Sequence, residues 1–333
     1  MMQLRSRVWR DGEIIASDFP LADLDGHLAD PSTLTWLDLC DPEGEVLGQL
    51  AEELQLDRHA VEDAVAPRER PKATRHATHI FLTCYTASMG TDAAGLPELK
   101  IGRISAFVVP RGLITVRVAP GAEVDMDEVL RRWQDEGLLS HGVGALVHGL
   151  LDVLVDGHFE AVQAMDDKLE ELEDLLFADS VRTREVQVRV FALRKALVAL
   201  RRVVLPMREV VASVMRLRLT SEWEQQSRAL DGEFADLYDH VLRAAEWTES
   251  LRDMVASVFE TNLSLQDARL NTIMKKLASW GAIIAVPTAV TGWFGQNLPY
   301  WGFGSESGVW QSVLLIVFGT VGLYWLFRRN GWL

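Results

Sequence analysis

Two stretches near the C-terminus decide what this chain can fold into. Leu277 to Gly295 (LASWGAIIAVPTAVTGWFG) and Val309 to Phe327 (VWQSVLLIVFGTVGLYWLF) each run 19 residues without a charged side chain, and Glu306 is the one charge between Leu277 and Phe327. At about 1.5 Å per helical residue each covers roughly 28 Å, enough for a bilayer core of about 30 Å. A buried hairpin of a soluble domain would have the same length, but it would not explain Trp280, Trp293, Trp310, Tyr324 and Trp325 gathered near the span ends, where an interfacial belt belongs. Lys275 and Lys276 precede the first span, and Arg328 and Arg329 follow the second. Two basic pairs on one side make that side cytoplasmic. Residues 296–308 are then a short external loop, residues 328–333 a cytoplasmic tail, and both chain ends lie on the cytoplasmic side of the cell (inner or plasma) membrane.

The remaining charge lies almost wholly before the spans. With 33 Lys and Arg against 48 Asp and Glu the formal charge is −15. That balance argues against a nucleic-acid partner, which needs clustered cations to displace counterions from phosphates. Cys40 and Cys84 are too few for a disulfide framework and read as core thiols in a reducing compartment. The opening MMQLRSRVWRDGE lacks the apolar stretch of a secretory signal, so the segment ahead of the spans is expected to stay in the cytoplasm.

That segment changes character along its length. LTWLDL (34–39), HIFLTCYT (79–86), ISAFVV and LITVRV alternate as strands do, the last two meeting at the turn Pro110-Arg111-Gly112, with helices expected at 44–56 and 59–65. Residues 1–140 therefore read as an α/β domain. Residues 141–230 read as antiparallel helices: an acidic one to about Ser180, then a basic one over 181–219 that Pro206 interrupts. From Asp231 no Pro or Gly except Gly232 occurs before Gly281, which predicts one helix over 231–295, roughly 95 Å long, running from the cytoplasm through the first span. A helix of that length needs partners, and copies of itself are the obvious ones.

One face of it stands out. Glu260, Asp267, Asn271, Met274, Leu277, Gly281, Ala285, Thr288 and Gly292 recur mostly at intervals of three, four or seven. The seam is acidic at its cytoplasmic end, apolar at Met274 and Leu277, and small or hydroxylated in the membrane. Periodicity alone leaves two readings open, a contact stripe between membrane helices or the lining of a pore.

The first span ends in Gly295-Gln296-Asn297. This tripeptide, placed between two terminal spans after a long helix, resembles the Gly-Met-Asn hallmark of the CorA superfamily of divalent-cation transport proteins. WLDLCDPEG (36–44), HAVEDAV (59–65), RPKATR (70–75), DLYDH (236–240) and the terminal Trp332-Leu333 extend the resemblance over nearly the whole chain. It implies a funnel-shaped homopentamer in which five long helices surround a pore, the second spans form an outer ring and the α/β domains form a cytoplasmic collar. Gly295, Gln296 and Asn297 would form the selectivity motif, and the seam from Asn271 to Gly292 the pore lining. A ring of five Asn297 amides suits hydrated Mg²⁺, which sheds water reluctantly, whereas a carboxylate ring could hold the ion too tightly to release it. Met274 and Leu277 would be the constriction. In this family ions bound between neighbouring cytoplasmic domains close the channel; the DLYDH stretch points to Asp236 as one ligand, and Asp92 or Glu98 lies near the strand end where the partner acid would fall. Glu260 and Asp267 are further metal candidates at the inner mouth.

Three departures leave the ion open among Mg²⁺, Co²⁺, Ni²⁺ and Zn²⁺: Gln296 stands for the usual Met, Ala285 is small for its level, and no acid closely follows the tripeptide. A ZntB-like zinc transporter, with proton coupling as one form, is the nearest rival, and a membrane-anchored coiled-coil interaction protein is the rival from another class. No P-loop appears, so no nucleotide is expected as a partner, and no HExxH pair or comparable cluster suggests an enzyme.

Overall fold

The computed structural model describes residues 2–67, 69–118, 124–135, 137–177, 183–218, 228–296 and 299–333. The chain forms two compact units, residues 1–256 and 257–333.

The first unit is built on a seven-stranded sheet: β1 (Gln3–Arg10), β2 (Glu13–Ser17), β3 (Thr33–Cys40), β4 (Lys72–Arg75), β5 (Ile80–Thr91), β6 (Pro97–Val109) and β7 (Gly112–Arg117). Its order is β2-β1-β3-β7-β6-β5-β4. Only β3 and β7 pair in parallel, Asp38 opposite Thr115 and Cys40 opposite Arg117; the other neighbours are antiparallel. Because successive side chains alternate between faces, the sheet has two cores. Leu37, Leu39, Phe81, Phe107 and Ile114 face a layer containing α1 (Leu24–Ala29), α2 (Gly44–Glu53) and α3 (Arg58–Val65). Trp36, Leu82, Ile104, Ala106 and Val108 face the other layer, which comprises α4 (Met126–Asp135), α5 (Val143–Phe177), α6 (Thr183–Arg218) and the start of α7 (Asp231–Phe294). On this face the Trp133 ring meets Trp9 and Trp36 edge-on at 5.8 and 5.4 Å.

Several boundaries differ from the sequence expectation for physical reasons. The helix expected over 44–56 ends at Glu53, because Gln55 adopts a left-handed backbone (φ 52°) and Asp57 caps the next helix by accepting from the His59 and Ala60 amides. Helix α6 continues through Pro206. Strands β1 and β2 and helix α4 have no counterpart in the expectation.

The second unit contains the end of α7, the turn that follows it and α8 (Glu306–Arg329). Both helices are long and apolar enough to cross a membrane.

Candidate functional site: the exposed seam of the long helix and a half-buried acidic cluster

Within the second unit α7 and α8 form an antiparallel hairpin. Ser279, Ile283, Val286, Pro287, Val290 and Phe294 make the covered stripe of α7, recurring every three or four residues apart from the adjacent Val286 and Pro287. Gly319 of α8 lies against Val286, so closely that an added Cβ would stand 2.8 Å from its Cγ1. At about 100° per residue the seam of Met274, Leu277, Gly281, Ala285, Thr288 and Gly292 lies roughly half a turn away from this stripe. Every one of those residues is exposed, as are Glu260, Asp267 and Asn271. α8 thus covers one side of α7 and leaves the polar and small seam bare on the other.

Local chemistry shapes what the seam offers. The Thr288 hydroxyl donates to the Ile284 carbonyl at 3.1 Å, which spends its proton on the helix and leaves its oxygen lone pairs facing outward. Thr291 donates in the same way to Pro287, whose ring supplies no backbone donor. At the end of the span the Gly295 amide reaches the Thr291 carbonyl (2.8 Å) and the Gln296 amide tightens onto Trp293 (3.3 Å). Gly295 and Gln296 are exposed, and Asn297 lies outside the described residues. Beyond it Tyr300 closes the turn: its ring meets Phe294 and Phe303 edge-on, and Phe303 and Ser305 donate to the carbonyls of Tyr300 and Gly302.

Lys275 and Lys276 lie ten or eleven residues before Val286, and Arg328 and Arg329 nine or ten after Gly319. In an antiparallel hairpin both pairs therefore fall about 15 Å to the same side of that contact. All four are exposed; Arg328 donates to the Tyr324 hydroxyl, and Arg329 sits over the Trp325 ring.

In the first unit Asp236 sits on the outward side of α7, 3.6 Å from His240 Nε2 one turn on. Asp152, Asp156 and His240 bring their ligand atoms within 4.8 Å of one another. Arg132 of α4 holds this group, bonding Asp152 and, at 2.8 Å, Asp156. Burial pushes the Asp152 carboxyl up from its ordinary value and the neighbouring His148 down. Sequence reasoning singled out Asp236 but missed Asp152, Asp156 and Arg132. The available signal was His148, Asp152 and Asp156 at four-residue spacing on one helix. Of the two candidate partners, Asp92 accepts from the Ala94 and Leu96 amides and so builds the β5–β6 turn, while Glu98 is exposed. The strand end after Cys84 is covered by α5, whose buried His158 bonds the Tyr85 carbonyl at 2.8 Å.

A family model described as CorA-like Mg²⁺ transporter protein matches residues 31–329. The chain belongs to this family. It is accordingly a membrane protein of divalent metal-ion transport rather than an enzyme. The cobalt/magnesium transport protein CorA of Methanocaldococcus jannaschii is 24% identical over 304 residues, covering 90% of this chain and 92% of that one. The complete structure of the CorA magnesium transporter from the same organism superposes with a TM-score of 0.73 at 22% identity, covering 99% and 98% of the two chains. The cytoplasmic domain of ZntB from Vibrio parahaemolyticus shares the fold of the soluble part, with a TM-score of 0.60 at 14% identity over 80% of this chain and 99% of that one. The CorA architecture of an α/β soluble domain, a long helix and two C-terminal apolar helices is the architecture found here.

Proposed function

We propose that this protein is a Mg²⁺ uptake channel, also passing Co²⁺ and Ni²⁺, in which five copies of α7 line one pore. The observation that carries the reading is the bare seam on the side of α7 opposite α8. A lone anchor gains nothing from Asn271, Thr288, Gly281 and Gly292 on one face, whereas a pore needs oxygen ligands and room for a hydrated ion. Asn297 supplies the outer amide ring through the ion's water shell, with Gly295 and Gln296 shaping the mouth. Met274 and Leu277 form the constriction that gates by excluding water, with Asn271 the polar ring below it. Both chain ends lie in the cytoplasm beneath the inner or plasma membrane, oriented by the two basic pairs. A divalent cation crossing an inside-negative potential gains about 4.6 kcal/mol per 100 mV, so influx needs no nucleotide.

Asp236 is the regulatory ligand on which intracellular Mg²⁺ bridges neighbouring copies and closes the pore, and Glu260 and Asp267 concentrate cations at the inner mouth. Its position beside His240 and the Asp152–Asp156 pair supports this, since it adds an exposed carboxylate to a strongly polar surface. Purified protein in liposomes, loaded with a fluorescent indicator, tests the whole scheme by uptake of Mg²⁺, Co²⁺, Ni²⁺ and Zn²⁺ with and without a pH gradient. Potential-driven Mg²⁺ uptake lost in Asn297→Ala is expected. Uptake indifferent to that change removes the amide ring, zinc uptake dependent on a proton gradient moves the assignment to a ZntB-like transporter, and closure by Mg²⁺ unaltered in Asp236→Ala removes the regulatory site.

A further inference from the structure

On one face of the first unit, four connections converge around a cavity of about 520 Å³. They are the end of α1, the α2–α3 link, the β4–β5 turn and the β6–β7 turn. That volume falls in the range of roughly 300–1,000 Å³ that small-molecule sites occupy. Its walls are built rather than incidental. At the β6–β7 turn, Arg111 donates through Nε to the Leu28 carbonyl at 3.0 Å while its own carbonyl accepts from Thr35, at 2.9 Å. A Cβ on the next residue, Gly112, would stand 2.6 Å from the Leu28 side chain, so the turn admits little movement. The two terminal nitrogens of Arg111 have no partner among the described residues, leaving a positioned guanidinium fork on the cavity wall.

The lining also carries two imidazoles. His76 and His79 stack with ring centroids 4.8 Å apart and planes 13° from parallel, and Phe107 lies against His79. His79 is 4% exposed. The Thr78 hydroxyl gives its one proton to the Gln55 carbonyl at 2.8 Å, so at its 3.0 Å contact with His79 Nδ1 it must accept. His79 therefore carries its proton on Nδ1 and presents a lone pair on Nε2, a buried acceptor without a partner among the described residues. Burial, and then the nearby His76, hold the His79 pKa at about 4, so the ring is neutral at neutral pH. Gln55, whose carbonyl the Thr78 hydroxyl clamps, sits in the left-handed region at φ 52°, a conformation that a non-glycine residue keeps only when the surroundings hold it there. Arg75 adds a second cation to the rim, Glu53 a single anion, and Leu54 and Val109 an apolar wall.

We propose that this cavity binds a nucleoside phosphate, its phosphate on the Arg111 fork and its base extending the His76–His79 stack. The phosphate matches a pre-oriented guanidinium. The base supplies a planar ring to continue the stack over His76, the more exposed of the two imidazoles, and exocyclic N–H groups for the exposed Gln55 side-chain amide. The ligand is a regulatory small molecule, separate from the driving force of transport.

The test uses the full-length protein in detergent with EDTA present, so that metal-bound nucleotide is absent, and ADP, adenosine, ribose 5-phosphate and pyrophosphate as probes in equilibrium dialysis. Saturable ADP binding with a Kd below roughly 1 mM (about −4 kcal/mol) is expected. Arg111→Gln should weaken it at least tenfold, Arg111→Lys less, and His76→Ala should bring ADP down to the level of ribose 5-phosphate. ADP should also raise the melting temperature of the wild type and not of Arg111→Gln, which reports binding even where the variant is less stable. Absence of saturable ADP binding up to roughly 5 mM, about five times the weakest Kd expected, overturns the proposal, as does unchanged affinity in Arg111→Gln. Pyrophosphate binding as tightly as ADP would overturn the role given to the base. Ion uptake by Arg111→Gln in the absence of nucleotide should match the wild type, so failure here is distinct from failure of the channel reading.

Discussion

Replacing Arg117 by Met should be among the most damaging single changes in the soluble part, although Arg117 lies in the sheet and belongs to neither candidate site. Asp38 on β3 has a side chain 1% exposed, and Arg117 on the parallel neighbour β7 is its counter-ion, with Nε 3.1 Å from both carboxylate oxygens. Thr115 donates to the same carboxylate at 2.7 Å and accepts from the Trp36 indole at 3.2 Å. The Asp38 carboxylate also holds the Arg117 guanidinium above its ordinary pKa against the opposing effect of burial. Arg117→Met keeps the volume but orphans a buried carboxylate, which costs about 3–5 kcal/mol. For a unit of this size each kcal/mol moves the midpoint by about 2–4 °C, so the melting temperature should fall by roughly 6–20 °C. The assay is thermal unfolding of the detergent-solubilised protein at fixed pH and scan rate, followed by tryptophan fluorescence and circular dichroism.

The same geometry predicts that Asp38→Leu in the Arg117→Met background restores most of the loss. With both charges gone the desolvation penalty disappears, and Thr115 can turn its proton to the Leu37 carbonyl, 3.3 Å away. The damage would then come from the uncompensated charge and not from the removed contacts. A single variant that loses less than about 1 kcal/mol, or a double variant that loses the sum of both singles, would refute this account.

His158 is fully enclosed, its pKa lowered to about 4 by burial, so between about pH 6.5 and 4 the unfolded chain takes up a proton that the folded chain refuses. Stability should therefore fall with acid across that window, by about 2 kcal/mol at pH 5 relative to pH 7.5 from this residue, and denaturant titrations of His158→Gln should show a correspondingly smaller drop. In the membrane hairpin Gly319→Val should separate α7 from α8 at a cost of about 1–3 kcal/mol, read as early aggregation on heating and lost uptake. Gly322→Val, with open space at its Cβ, should retain both. Of the two thiols, Cys84 is buried with its pKa pushed up to about 12, while Cys40 is half-buried. Maleimide labelling of the native protein should therefore disappear in Cys40→Ser and persist in Cys84→Ser.

How much of this was legible in the sequence follows from how strongly each environment restricts the residues within it. The bilayer excludes charge for about 20 residues at a time, so the two spans, their aromatic ends and their basic flanks could be read directly. Strands whose two faces are both covered were readable from apolar content: β3 is buried along nearly its whole length. Strands β1 and β2 were not, because they lie toward the sheet's edge, with arginines at positions 5, 7 and 10 and an almost wholly exposed EIIAS. Helix α4 is short and strongly polar on one side, and only the Trp133 indole docking onto Trp9 and Trp36 reveals which side is inward.

The two candidate sites were unequally legible for the same reason. The seam lies on a single helix, so its register survives in the sequence as a repeat, and α8 needed only to cover the opposite side for its exposure to become plain. The acidic cluster draws Arg132 from α4, Asp152 and Asp156 from α5 and His240 from α7, and no spacing in the chain links those three elements. DLYDH itself mixes two roles: Leu237 is a core residue and His240 turns in against Phe159 and the Asp152–Asp156 pair, whereas Asp236 faces outward and Asp239 pairs with Arg243 at 2.8 Å. A motif of that kind marks where a helix is docked and not only a candidate ion ligand. Changes at Leu237 should therefore lower stability first, and changes at Asp236, exposed on the other side of the same turn, should alter regulation while leaving the fold intact.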